Sequence, residues 1–248
     1  DMAYGCLSNA AAAAACAGEY DRALELVDRC ASVVLPNGLI QPAITIHTGR
    51  SALLRRLDRL SDARAACDIA AGLADRVGLT DLEGLVHHER GLIALAAGEP
   101  SAAATELGLA LEQDAPVSRP LTRLLRAEAL ARAELADDAE RELRRVALEP
   151  VTPTDFPATL VARMLFVEGL IARHRGDAVG AQRRFRQAAD GWQRRAEIGS
   201  VGENYVTSFV DLGRPPISTL VEPERELARV RVELEWSVRD VVIRPAGA

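Results

Sequence analysis

VARMLFVEGLIARHRGDAVGAQRRFRQAADGW, Val161 to Trp192, reads as two antiparallel helices joined by a tight turn at Gly176-Asp177. Before the turn, Met164, Leu165, Gly169, Leu170 and Ala172 give one helix an apolar face; after it, Ala181, Phe185, Ala188 and Trp192 recur at helical spacing. Gly169 and Ala181 are both small and stand twelve residues apart, so the two backbones can approach closely there.

Working outward with Ala181 as anchor, the same grammar recurs at Ala23, Ala63, Ala103 and Ala139, with intervals of 40, 40, 36 and 42 residues. Twelve residues before each anchor stands a small residue: Ala11, Ser51, Gly91, Ala127 and Gly169. Four after it comes a core filler, Val27, Cys67, Leu107, Leu143 or Phe185, and seven after it Cys30, Ala70, Ala110, Val146 or Ala188. Five before it lies the turn: Gly18, Asp58, Gly98, Glu134 and Gly176. Three of these are the glycine that a left-handed helix C-cap favours. A single hairpin cannot bury its own apolar stripe, so neighbours must stack.

The expected fold is therefore all-α, a superhelical solenoid of about five helical hairpins over about 2–35, 42–77, 81–113, 118–148 and 155–196. These form one repeat domain over 1–198, with a C-terminal extension over 199–248. Thr80 or Asp81, Ser118 with Pro120, and Thr154 with Asp155 are helix start signals for the later hairpins. In the extension, Gly199 to Leu212 is expected to be helical and Gly213-Arg214-Pro215-Pro216 breaks the pattern. Pro223 opens a last helix with an apolar stripe of Leu227, Val230, Leu234 and Val238 and polar other faces, as an end cap requires.

Composition narrows the chemistry. Of 248 residues, 48% are hydrophobic, 27% charged and only 4% aromatic, which suits closely packed helices. All 30 basic residues are Arg, so neither a P-loop lysine nor a Schiff-base lysine is available. The net charge of −6 argues against direct nucleic-acid binding. Cys6, Cys16, Cys30 and Cys67 form no C-x-x-C pair and read as small core residues, so neither a metal nor a cofactor is implied. No run of 18 apolar residues exists, so no membrane segment is expected and a cytoplasmic protein is. Opening at Asp1-Met2-Ala3 directly into a helical pattern, the chain reads as part of a longer protein.

The repeat resembles the tetratricopeptide repeat (TPR), most fully in GEYDRALEL at Gly18–Leu26 and in the Gly169, Gly176, Ala181, Phe185, Ala188 series. The aromatic that this family carries early in the first helix is replaced by His47 and His87 in two hairpins. Three longer stretches, LVHHERGLIALAAGEPSAA, RLLRAEALARAELADDAERELRRVALEPVTPTDFPATLVARM and DLGRPPISTLVEPERELARV, look like the C-terminal helical-repeat region of actinobacterial multidomain transcriptional regulators. Those relatives include large ATP-binding regulators of the maltose-activator-like or LuxR-like type. The likeness implies a non-enzymatic sensor or protein-interaction region that binds an effector or partner. A free-standing TPR adaptor for a peptide or partner protein is the alternative, and a homodimer is compatible with either.

In such repeats the first helix of each pair lines the concave side. Helical projection puts Thr45, Thr48, Ala52, Arg55 and Arg56 there from the second hairpin, and Leu85, His88, Leu92 and Leu95 from the third. The fourth supplies Leu121, Leu124, Glu128 and Arg132, and the fifth Arg163, Phe166, Leu170, Arg173 and His174. An apolar floor flanked by arginines suits a helix or peptide with acidic groups, or a small amphipathic anion. The competing expectation is that the leucines pack the repeat and the arginines are merely solvated. His87-His88-Glu89 lacks the second histidine of an HExxH site, and its neighbours point about 100° apart, so these residues are expected to be structural. Arg183, Arg184, Arg186, Arg194 and Arg195 are expected to form a solvated outer face.

Overall fold

The computed structural model describes residues 2–78, 80–113, 119–149, 157–198 and 223–243. Among them are eleven helices and no strand. Five hairpins follow one another: α1 (Met2–Cys16) with α2 (Tyr20–Val34), α3 (Ile40–Arg56) with α4 (Leu60–Val77), and α5 (Thr80–Ala96) with α6 (Pro100–Glu112). Then come α7 (Arg119–Arg132) with α8 (Ala136–Val146), and α9 (Pro157–His174) with α10 (Ala178–Ile198). A last helix, α11, spans Pro223–Ile243. The helix expected over Gly199 to Leu212 and the start signals at Ser118, Thr154 and Asp155 lie outside the described residues.

The helices group into two compact units, one holding α1–α6 and the other α7–α11. In the first, each helix packs on the next, and α3 also meets α5, so first helices of consecutive hairpins lie side by side. In the second, α7 packs on α8 and α9, α9 on α10, and α11 along α10.

The repeat register has a direct physical meaning. All five anchor alanines are completely buried, and the residues twelve before, four after and seven after them are buried too. In the second, third and fifth hairpins the small residue of the first helix meets the anchor turn of the second. Ser51 donates its hydroxyl to the Ala63 carbonyl at 2.8 Å. A Cβ on Gly91 would lie 2.5 Å from Leu107 Cγ, so only hydrogen fits there. The low aromatic content follows from this geometry, since small residues let helix axes approach and leave little room for rings.

The five turns share one backbone. Gly18, Asp58, Gly98, Glu134 and Gly176 all have positive φ, at 77°, 60°, 73°, 64° and 80°. In each, the next residue's N–H reaches back to the carbonyl five residues earlier, as in Glu19 to Ala14 and Leu135 to Leu130, both at 2.9 Å. That bond closes the preceding helix with a left-handed cap. Asp58 and Glu134 hold this conformation without being glycine, at an energetic cost.

Ion pairs repeat with the hairpins as well. Arg50 meets Asp28 at 2.6 Å and Arg90 meets Asp68 at 2.9 Å, each one residue before the small position and five after the anchor. These partly exposed pairs fix little energy but mark the same register in successive repeats.

Candidate functional site

Within the second unit, α7 and α9 turn the expected groove residues toward one another, and α11 closes over them. Glu128, on α7, is fully buried and is the hub. It accepts hydrogen bonds from Arg132 Nε at 3.0 Å, from Arg163 Nη1 at 2.9 Å and from Arg229 Nη2. Arg163 reaches on to Glu226 at 2.7 Å, and Arg229 also touches Glu226 at 3.4 Å. Glu128, Arg163, Glu226 and Arg229 thus form a closed ring of alternating charge. Arg132 bridges this ring to Glu233 at 3.2 Å, and Arg173 donates to the other Glu233 oxygen.

Two aromatic rings underlie these guanidiniums. Phe166 and Phe185 pack with centroids 5.8 Å apart and planes tilted by 52°. Arg132 lies 5.6 Å and Arg229 6.0 Å from the Phe166 centroid, while Arg173 lies 6.0 Å from that of Phe185. The rings' negative faces favour cations at this range, so the arginines are oriented from below by aromatics and from the side by carboxylates. Burial alone would push the Glu128 carboxyl up, but Arg229, Arg163 and Arg132 together bring it down to about 2. Glu128 in turn holds Arg229 still more firmly in its charged form.

The structure therefore brings together Glu128, Arg132, Arg163, Phe166 and Arg173 from the expected set, with Leu124 and Leu170 buried beneath them. These arginines are ion-paired rather than merely solvated. His174 is exposed beyond them at the end of α9. What the sequence reading did not assign is the other half of the cluster, Glu226, Arg229 and Glu233. The signal was present: positions 226, 229 and 233 lie three and then four apart, on one stripe of a helix.

In the first unit, Arg55 makes a two-pronged contact with the fully buried Glu89, at 2.9 and 3.4 Å. His88, beside it, is fully buried, and burial together with Arg55 lowers its pKa to about 3. His88 is a neutral core histidine, and Arg56 is buried as well. Leu92 and Leu95 are half-buried. His87 contacts Glu106 at 2.7 Å across the third hairpin, so the three consecutive residues have three different surroundings. Burial also raises the Cys67 thiol to about 12, with Glu89 adding to the effect.

Among the described residues, no group of three His, Cys, Asp or Glu side chains is placed to hold a metal. No described helix is long and apolar enough to cross a membrane. An open groove on the other side of α9 is lined by Glu140, Arg144, Glu168, Arg175, Asp177 and Arg184. Its charges largely pair with one another, as in Arg175 with Glu140 at 2.8 Å and Arg184 with Glu168 at 3.0 Å. On both faces the arrangement suits recognition of charge and shape.

No family model and no curated protein matches the chain. Among solved structures it is similar to a tetratricopeptide repeat protein from Parabacteroides merdae ATCC 43184, at 16% sequence identity and a TM-score of 0.53. The match covers 97% of this chain and 88% of that one. At this identity the likeness is one of fold, and it establishes an all-helical, TPR-like repeat.

Proposed function

We propose that the chain is a non-enzymatic sensor and protein-interaction module, the repeat region of a bacterial transcriptional regulator, which binds an effector or partner on the first-helix faces of its hairpins. The TPR-like fold supports the interaction role, since repeats of this kind present extended binding surfaces. The observation that carries the reading is the concentration of Arg132, Arg163, Arg173, Phe166 and Glu128 on the joined faces of α7 and α9. Their geometry serves the capture of carboxylates and apolar groups. The regulatory context rests on the likeness of the three longer sequence stretches to actinobacterial regulators.

The experiment is native mass spectrometry of the purified chain, alongside a thermal-shift screen of metabolites and acidic peptides. A captured ligand whose binding falls at least tenfold in Arg132→Glu or Arg173→Glu, with helical content retained, is the expected result. Turnover of a screened metabolite, or capture indifferent to both substitutions, overturns the reading.

A further inference from the structure

We infer that the α7–α9 face of the second unit is a seat for an acidic amphipathic helix, and that α11 is its displaceable cis occupant. The inference rests on the interaction reading above and names the class of partner: a helix presenting two carboxylates seven residues apart, with apolar residues on the same side between them.

The occupant defines the seat. Glu226 and Glu233 stand two turns apart on α11, about 10 Å along its axis. One meets Arg163 and the other Arg132 and Arg173, so the three guanidiniums read that spacing. Between them, Leu227 and Val230 are buried, and Val230 falls on the same stripe as the two carboxylates.

Charge says what the seat requires. Without α11, the face carries one carboxylate, Glu128, against Arg132, Arg163 and Arg173, a net charge of +2 over two aromatic rings. The two carboxylates of α11 balance that excess, while Arg229 adds a positive charge back next to Glu128. A trans helix that presents the same two carboxylates, with an arginine between them to meet Glu128, reproduces the match that α11 makes.

The nature of the contact makes exchange feasible. Among the described side chains of α11, the only buried apolar ones are Leu227 and Val230, whereas α10 contributes Ala181, Phe185, Ala188 and Trp192 to the core. The contacts described between α11 and the α7 and α9 residues are ionic, while its backbone runs along α10. Buried ion pairs add little net stability over a well-matched replacement, yet they penalise an unmatched one heavily. A helix that reproduces the pattern displaces α11 at small cost, and a helix without it is excluded. Tethering raises the effective concentration of α11, so a trans helix of the same pattern competes only once the cis helix is weakened.

The test uses the full chain and a fluorescent peptide with the sequence of Pro223–Ile243. Wild type is expected to bind it weakly. A full chain with Arg229→Ala and Glu233→Ala, whose own helix is weakened, is expected to bind at least tenfold more tightly. Adding Arg173→Glu should abolish that gain, and a peptide carrying Glu233→Arg should restore it. Equal binding to wild type and the weakened chain, or no rescue, overturns the inference. If the weakened chain loses helical circular dichroism, hydrogen exchange on wild type decides: α11 amides should exchange well before those of α9 and α10, and equal protection overturns the inference. Ligand capture that persists while α11 proves fixed sinks this inference alone; a seat that opens but binds no acidic ligand of any kind sinks the interaction reading with it.

Discussion

Gly169 lies against the edge of the Phe185 ring, so close that a Cβ on it would come within 2.5 Å of Cε1 and 2.7 Å of Cδ1. Phe185 is completely buried and touches Phe166, so its ring has nowhere to move. Gly169→Ala sets an overpacking cost of about 1–3 kcal/mol against about 1 kcal/mol gained in helix propensity, and the cost is expected to win. Gly169→Leu and Ala181→Leu should lose more. Gly72, exposed on α4 with nothing near its Cβ position, is the control: Gly72→Ala should gain about 0.5–1 kcal/mol. Urea denaturation of the four variants checks this, and a destabilised Gly72→Ala with an unaffected Gly169→Ala refutes it.

Asp58 and Glu134 occupy the left-handed turn position that is glycine in the other three hairpins. A left-handed L-residue costs about 1–2 kcal/mol, and glycine returns part of that through the freedom of its unfolded chain. Glu134→Gly and Asp58→Gly are each expected to raise stability by about 0.5–1 kcal/mol. Gly176→Ala should lower it by a similar amount. Melting temperatures that move the other way would show that the turns are held by something other than this cap.

His88 makes the chain sensitive to mild acid. Its folded pKa, about 3, lies below the ordinary value of 6.5 because burial and Arg55 oppose the charged ring. The unfolded chain therefore binds a proton that the folded chain refuses, and stability falls as pH drops from about 6.5 toward 3. Each pH unit in that window costs up to about 1.4 kcal/mol. Glu128 adds a second loss between about 4.5 and 2, since its folded pKa is depressed to about 2. Denaturation midpoints at pH 7 and pH 5 should differ less in His88→Gln than in wild type, and an unchanged difference would assign the acid sensitivity elsewhere.

Glu128→Gln removes the hub of a buried network and leaves Arg132, Arg163 and Arg229 short of counter-charge. The expected loss is about 3–5 kcal/mol. Arg22→Ala breaks only the exposed pair with Glu19, whose side chains are 71% and 49% accessible, and should change stability by less than about 0.5 kcal/mol. Chemical denaturation of both variants compares them directly. A mild Glu128→Gln would mean that the arginines find other partners or water.

Much of the fold was legible because helical packing repeats at short range. The spacing of Ala23, Ala63, Ala103, Ala139 and Ala181 located the hairpins, and the residue five before each located a turn even where it was Asp or Glu. Periodicity could also put Arg132, Arg163, Phe166 and Arg173 on one face of their helices. It could not say what lies opposite that face.

By itself, then, the sequence determined the helices, their pairing into hairpins and the contact of small residue with anchor, because those contacts join positions a fixed, short distance apart. Tertiary structure alone decided which arginine meets which glutamate of another helix. The Arg163–Glu128, Arg163–Glu226 and Arg229–Glu128 contacts span 35, 63 and 101 residues. No local pattern encodes such pairs, since they depend on how one hairpin packs on the next and on where α11 comes to rest.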